Sequence, residues 1–166
     1  MTYRRLRRDE LEDLERAFVR FLAAQGIPAD DWTRIKVADV PRADELVDQF
    51  SQMVFDDVLT RCAYVEQRGR HQLLVYRTGP DLLEVRGLLA APESGIDFRQ
   101  NSPPAELLAA AQADPAPLRV LRAERAYAPD RATDLFALLE RGARIATTSE
   151  LFDALDQAGA PDTPDT

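Results

Sequence analysis

The chain has 166 residues, a single cysteine and a net charge of −8 from 29 acidic and 21 basic residues. That length suits about one domain with a real core, one cysteine excludes an intrachain disulfide, and no apolar run approaches the ~20 residues of a membrane span. The basic set is twenty arginines and one lysine, Lys36. Such an acidic, lysine-poor profile fits a GC-rich genome or a high-salt cytoplasm, and it makes a poor general nucleic-acid binder because backbone phosphates dominate that affinity.

The opening stretch "MTYRRLRRDELEDLE" is basic and is followed by acids rather than by an apolar run. It is not a secretory signal, and a cytoplasmic location is expected. A first helix is predicted from Asp9 to about Gln25, with Asp9 as cap and Glu12 at capping-box spacing. Leu11, Leu14, Phe18, Phe21 and Leu22 form its apolar face. Gly26 suits a left-handed C′ position and Pro28 stops the helix. A short helix is expected from Asp30, the candidate cap, with Trp32 and Ile35 on its buried side. A third begins near Pro41 and carries Leu46, Val47, Phe50, Met53, Val54, Val58 and Leu59, extended by Phe55 and Cys62.

The period then changes. "AYVEQ", "QLLVYRT" and "LLEVRGLL" read as an antiparallel meander separated by the turn segments "RGRH" and "GPD". After an irregular loop, "PPAELLAAAQAD" reads as a short helix ended by Pro115 and Pro117. "LRVLRAE", Leu118 to Glu124, reads as a fourth strand. Two helices close the chain: one capped by Asp130 and ended by Gly142, the other with Thr147 and Glu150 at capping-box spacing. The expected fold is α+β, with N-terminal helices packed on a mostly antiparallel sheet of three to four strands and helices at the C-terminus. Residues 1–159 are read as a single domain and 160–166 as a disordered acidic tail.

The opening "YRRLRRDELEDLERAFVRFLAAQGIPADDW", with the segments "LVDQFSQMVFDDVL" and "DLFALLERGARIATTSELFDAL", resembles an uncharacterised bacterial domain-of-unknown-function family. Its pattern is a Tyr-Arg-x-Leu start, an acidic helix, a Phe-x-x-Phe-Leu run, then Gly-Ile and a Trp. The resemblance implies a small cytosolic bacterial protein without established catalytic residues. It also implies that Cys62 and His71 lie outside the family's pattern.

Candidate chemistry is sparse. Cys62 and His71 are the only residues of their kinds. A nucleophilic cysteine needs a nearby base and a lowered pKa, yet Cys62 falls at a helix C-terminus, where the dipole disfavours a thiolate. A buried structural cysteine and an exposed turn histidine are expected. Asp30–Asp31 and Asp56–Asp57 are adjacent pairs, which do not face each other on a helix. Phosphate-binding glycine loops and a nucleophile elbow are missing from the sequence. No catalytic residue, metal or cofactor is assigned.

Charge layout is more informative. Residues 1–8 hold four arginines and no acid, whereas residues 9–57 hold 13 acids against five bases. The strand region is mildly basic. Arg61, Arg68, Arg70, Arg77, Arg86, Arg119 and Arg122 are the candidate partner-binding set. Strand alternation puts Leu73, Val75 and Arg77 on one face and Leu74, Tyr76 and Thr78 on the other. Glu84 and Arg86 are read as the solvent side of the third strand. The second strand, apolar on both faces, is expected to be covered on both, by the segment after Gly87 or by a second subunit. These readings point to a non-enzymatic interaction or regulatory protein. Its expected partner is a protein, with a homodimer through the sheet as one form. RNA or ribosome binding by the arginine-bearing face and N-terminal arm is the second choice, an enzyme with a dispersed site the third, and no membrane partner is expected.

Overall fold

A computed structural model describes residues 2–113 and 118–159. The chain divides into two compact units, Met1–Arg61 and Cys62–Thr166. The expected helix stops at Pro115 and Pro117 and the expected tail 160–166 lie outside the described residues. Among the described residues are seven α-helices and one five-stranded antiparallel sheet, so the fold is α+β, with one strand more than the sequence suggested.

The first unit is helical: α1 (Arg8–Asp13), α2 (Glu15–Ala24), α3 (Ala29–Ala38) and α4 (Val40–Arg61). The single first helix expected from Asp9 is broken at Leu14. Its cap is Arg7 rather than Asp9. Arg4 grips Glu10 through two hydrogen bonds of 2.7 and 2.8 Å, and Glu10 in turn accepts the Arg7 N–H at 2.6 Å. The helix start is thereby drawn toward the arginine arm. Gly26 takes the left-handed C′ conformation, φ 75°, and Ile27 N–H closes onto Leu22 O at 2.9 Å. Pro28, not Asp30, is the cap of α3; Asp30 sits within the first turn.

Phe18, Phe21, Trp32 and Ile35 pack around Leu22, Ile27 and Leu46. Fully buried Phe50 meets Phe18 and Phe21 at ring distances of 5.0 and 5.4 Å. The buried side of α4 moves along its length. Ala43, Leu46 and Phe50 serve the first half, while Ser51, Phe55 and Leu59 lie nearly half a turn away. Met53 continues the first line beyond its end and is 47% exposed, against expectation. Residues 3–6 form a strap on α4. Tyr3 Oη donates to Asp56 at 2.8 Å, Tyr3 and Gln52 exchange two hydrogen bonds, and Leu6 N–H donates to buried Ser51 Oγ at 3.0 Å.

The second unit holds β1 (Tyr64–Arg68), β2 (Gln72–Thr78), β3 (Leu82–Ala90), α5 (Pro104–Gln112), β4 (Leu118–Ala126), α6 (Arg131–Glu140), β5 (Arg144–Ala146) and α7 (Glu150–Ala158). The sheet order is β4-β3-β2-β1-β5. The strand absent from the expected set, β5, has only three residues, too few for alternation to show. Gly87 lets β2 approach β3: a Cβ there would stand 2.9 Å from Leu73 O and 2.8 Å from Leu74 Cδ2. Asp130 caps α6 as expected, accepting the Thr133 N–H at 2.9 Å. The cap of α7 is Ser149, not Thr147, and it makes no side-chain cap bond.

The strand registers assign the two faces. Leu73, Val75 and Arg77 share one with Leu88, Arg86 and Glu84, and with Val120, Arg122 and Glu124. There Leu73, Val75, Leu88, Ala90 and Leu118 form one core with Phe98, Leu107, Leu151, Phe152 and Leu155 of α5, α7 and the loop between β3 and α5. Arg86 is therefore not on a solvent side. It is 5% exposed, because α7 covers this face. The other face carries buried Val65, Tyr76, Leu83 and Val85. Arg125 lies on that face and is paired with Asp134 of α6.

Candidate interaction surface

The lone cysteine and lone histidine stand at opposite ends of one hairpin. Thr78 Oγ1 donates to Cys62 O at 2.5 Å at one end of β2, while His71 precedes the other end and accepts from Ala90 N–H at 2.8 Å. The seven residues of β2 separate them, roughly 25 Å of strand. Cys62 is buried, its Sγ lies 3.7 Å from Tyr64 O, and burial pushes its thiol pKa up. Nothing in this placement activates a nucleophile. Among the described residues, no three His, Cys, Asp or Glu side chains converge to hold a metal ion.

The seven candidate arginines separate. Arg61 ends α4 and pairs with Asp57 at 2.8 Å. Arg70 is exposed in the β1–β2 turn. Arg68 lies against Glu66 at 3.3 Å, with its Nη1 buried and unpartnered. Arg119 points to the face opposite Arg122, as alternation requires. Only Arg77, Arg86 and Arg122 come together, on the face beneath α7.

All three are paired where they lie, on two carboxylates. Arg77 holds Glu84 through bonds of 2.6 and 2.8 Å. Arg86 Nε donates to Asp156 at 2.6 Å, and Arg122 reaches the same carboxylate at 3.2 Å. The guanidinium carbons of Arg77 and Arg86 sit 4.8 and 5.1 Å from the Phe152 ring centroid, a cation–π arrangement. Hydrogen bonding to Arg77 lowers the Glu84 pKa, and hydrogen bonding to Arg86 lowers that of Asp156. The N-terminal arginines are engaged too: Arg4 with Glu10, Arg5 with Asp44 and Asp48, Arg8 with Glu12.

A different surface stands out at the sheet edge. β4 is terminal in the strand order, so among the described residues nothing pairs with its outer side. Gly79 N–H donates to Leu82 O and Ala90 N–H to His71 O, so Leu82, Glu84, Arg86, Leu88 and Ala90 turn their peptide groups toward β2. The alternate β3 residues face Arg119, Leu121, Ala123 and Arg125 of β4. Antiparallel alternation then directs the N–H and C=O of Val120, Arg122 and Glu124 away from the sheet. The side chains from Arg122 to Ala126 are all exposed, and β4 contains no proline.

A model of a family described as of unknown function, DUF6495, matches residues 1–159. The chain belongs to that family. The match spans both units, in agreement with the resemblance of the N-terminal and C-terminal segments. Comparison with curated proteins and with solved structures finds no match to either. Membership brings no activity with it, so the residues themselves carry any functional reading. Sequence reasoning missed Asp156, Phe152 and the β4 edge. The first two lie in the last predicted helix, where no local signal sets them apart from their neighbours. An edge is a property of strand order, which alternation within one strand does not encode.

Proposed function

We propose that this chain is a non-enzymatic interaction protein that binds another protein by strand addition along β4. The observation that carries the reading is the nine-residue open edge, with alternate backbone donors and acceptors turned outward. An exposed edge of this length is a template for pairing, and strand addition draws its affinity from main-chain hydrogen bonds. The separation of Cys62 from His71 supports a non-enzymatic role. The pairing of Arg77, Arg86 and Arg122 with Glu84 and Asp156 favours a protein over RNA, because phosphates would compete with carboxylates already in place. A cytoplasmic, macromolecular partner fits this reading; no helix among the described residues is long and apolar enough to cross a membrane.

Val120→Pro tests it. The Val120 N–H points outward, so proline there removes an edge donor without breaking the β3–β4 ladder, whereas Leu121→Pro breaks it. Tagged wild-type and Val120→Pro chains would be purified from their own cells at two salt concentrations, with protein and RNA both quantified. Protein partners should be lost from the folded Val120→Pro chain and retained by wild type at both salts. Recovery of RNA that falls steeply with salt and ignores Val120→Pro would sink the reading and favour the nucleic-acid alternative.

A further inference from the structure

We propose that the chain occupying the β4 edge is a second copy of this one, paired antiparallel about a two-fold axis at Ala123. The inference rests on the strand-addition reading and names its partner. Two observations carry it. Within the chain, the β3–β4 register sets like charges opposite each other: Glu84 against Glu124, and Arg86 against Arg122. Arg86 and Arg122 are reconciled by sharing Asp156, and Glu84 by Arg77. Glu124 has no ion-pair partner among the described residues. Like charges directly opposite on a sheet are destabilising, so Glu124 lacks a cation on its open side.

Self-pairing supplies one. A two-fold axis perpendicular to the sheet keeps each face continuous, so outward-turned residues must meet outward-turned residues. Centring on Arg122 sets arginine against arginine, and centring on Glu124 sets glutamate against glutamate. Centring on Leu121 pairs Val120 with Arg122. Centring on Ala123 alone sets Arg122 of each copy opposite Glu124 of the other, twice, and Val120 opposite Ala126. About eight backbone hydrogen bonds close that register from the four outward pairs. Ala123, the smallest side chain of the central stretch, then meets itself in the closer, non-hydrogen-bonded type of pair. The result is one continuous ten-stranded sheet.

Two variants of the full chain, measured by sedimentation over a range of concentrations, test the register. Glu124→Arg relieves the clash with Glu84 inside the chain but sets arginine against arginine across the edge. It should leave the thermal melt of the monomer unchanged or raised and weaken the dimer at least tenfold. Ala123→Cys places two thiols at ~4.5 Å Cα separation, within disulfide reach, and should give a cross-linked dimer on mild oxidation; Leu121→Cys, which meets Arg125, should not. A wild-type monomer at all concentrations overturns the proposal, as does a dimer indifferent to Glu124→Arg or cross-linked through Leu121→Cys. Loss of other protein partners from Val120→Pro in a monomeric wild type would leave strand addition standing and remove only the second copy. A dimer untouched by Val120→Pro, Glu124→Arg and Ala123→Cys would remove both.

Discussion

The two units use arginine in opposite ways. In the helical unit the core is aromatic and aliphatic, and the charges stay outside it. Arg5 is 42% exposed and Arg8 94% exposed, each holding carboxylates that are themselves more than half exposed. In the sheet unit the charges go inside. Arg86 and Asp134 are each 5% exposed, Arg86 beneath α7 and Asp134 where it accepts from Arg125 and from Ala128 N–H at 3.1 Å. The same residue type is thus a solubilising surface group in one unit and part of the packing in the other. A buried charge is tolerated only when paired and hydrogen-bonded, so the sheet unit depends on geometry that the helical unit does not need.

The sharpest contrast comes from removing the centre of each arrangement. Phe50→Ala empties a fully buried aromatic site between Phe18 and Phe21 and should cost roughly 3–5 kcal/mol in chemical denaturation. Arg86→Ala should cost somewhat less, about 2–3 kcal/mol. It strips a buried partner from Asp156 and the cation from Phe152, but Asp156 is 39% exposed and keeps Arg122. An Arg86→Met chain as stable as wild type would show that Arg86 contributes volume rather than charge, and would erase the contrast.

This difference governs how much was legible beforehand. The helical unit shows itself in the 3–4 spacing of Leu22, Phe18 and Phe21 and in Gly26, because apolar periodicity and a left-handed glycine are local signals. Even there, the cap moved to Arg7 because Glu10 answers to Arg4, a side chain six residues away. In the sheet unit the strands were legible and their environment was not. Arg86 and Glu84 alternate with apolar residues as a solvated face would, and only the return of α7, seventy residues later, buries Arg86. Of the seven candidate arginines, alternation alone separates Arg119 from Arg122. The gathering of Arg77, Arg86 and Arg122 on Asp156 needs the tertiary fold.

Asp134 offers a test through pH. Its pKa is lowered, first by the hydrogen bond from Arg125 and then, against the cost of burial, by Ala128 N–H and nearby charge. A carboxyl with a depressed folded pKa adds stability that is complete above its unfolded value, ~3.9, and that fades as pH falls through the folded value. Wild type should therefore lose stability below about pH 4. Asp134→Asn should be about 1–3 kcal/mol less stable at pH 7 and show a shallower acid slope. An unchanged slope would mean that other carboxylates, such as Glu10 with its pKa near 2, control acid unfolding.

The smallest effect is expected at Arg5, where bonding is densest to the eye. Its guanidinium donates to Asp48 at 2.6 and 2.9 Å and to Asp44 at 2.9 Å, and hydrogen bonding to Asp48 lowers that carboxylate's pKa while raising that of Arg5. Yet both carboxylates are 53% exposed. Solvent screens the attraction, and holding a long side chain against two acids costs rotamer entropy, so such pairs contribute about 0–1 kcal/mol. Arg5→Ala should fall within that range in a thermal melt and become indistinguishable from wild type in ~1 M salt, where the screening length is about 3 Å. The strap itself is held by Tyr3 and Leu6, whose bonds to Gln52, Asp56 and Ser51 do not pass through Arg5. A loss well above 1 kcal/mol that survives high salt would mean that Arg5 is needed to seat those bonds, and that the helical unit too is organised around an arginine.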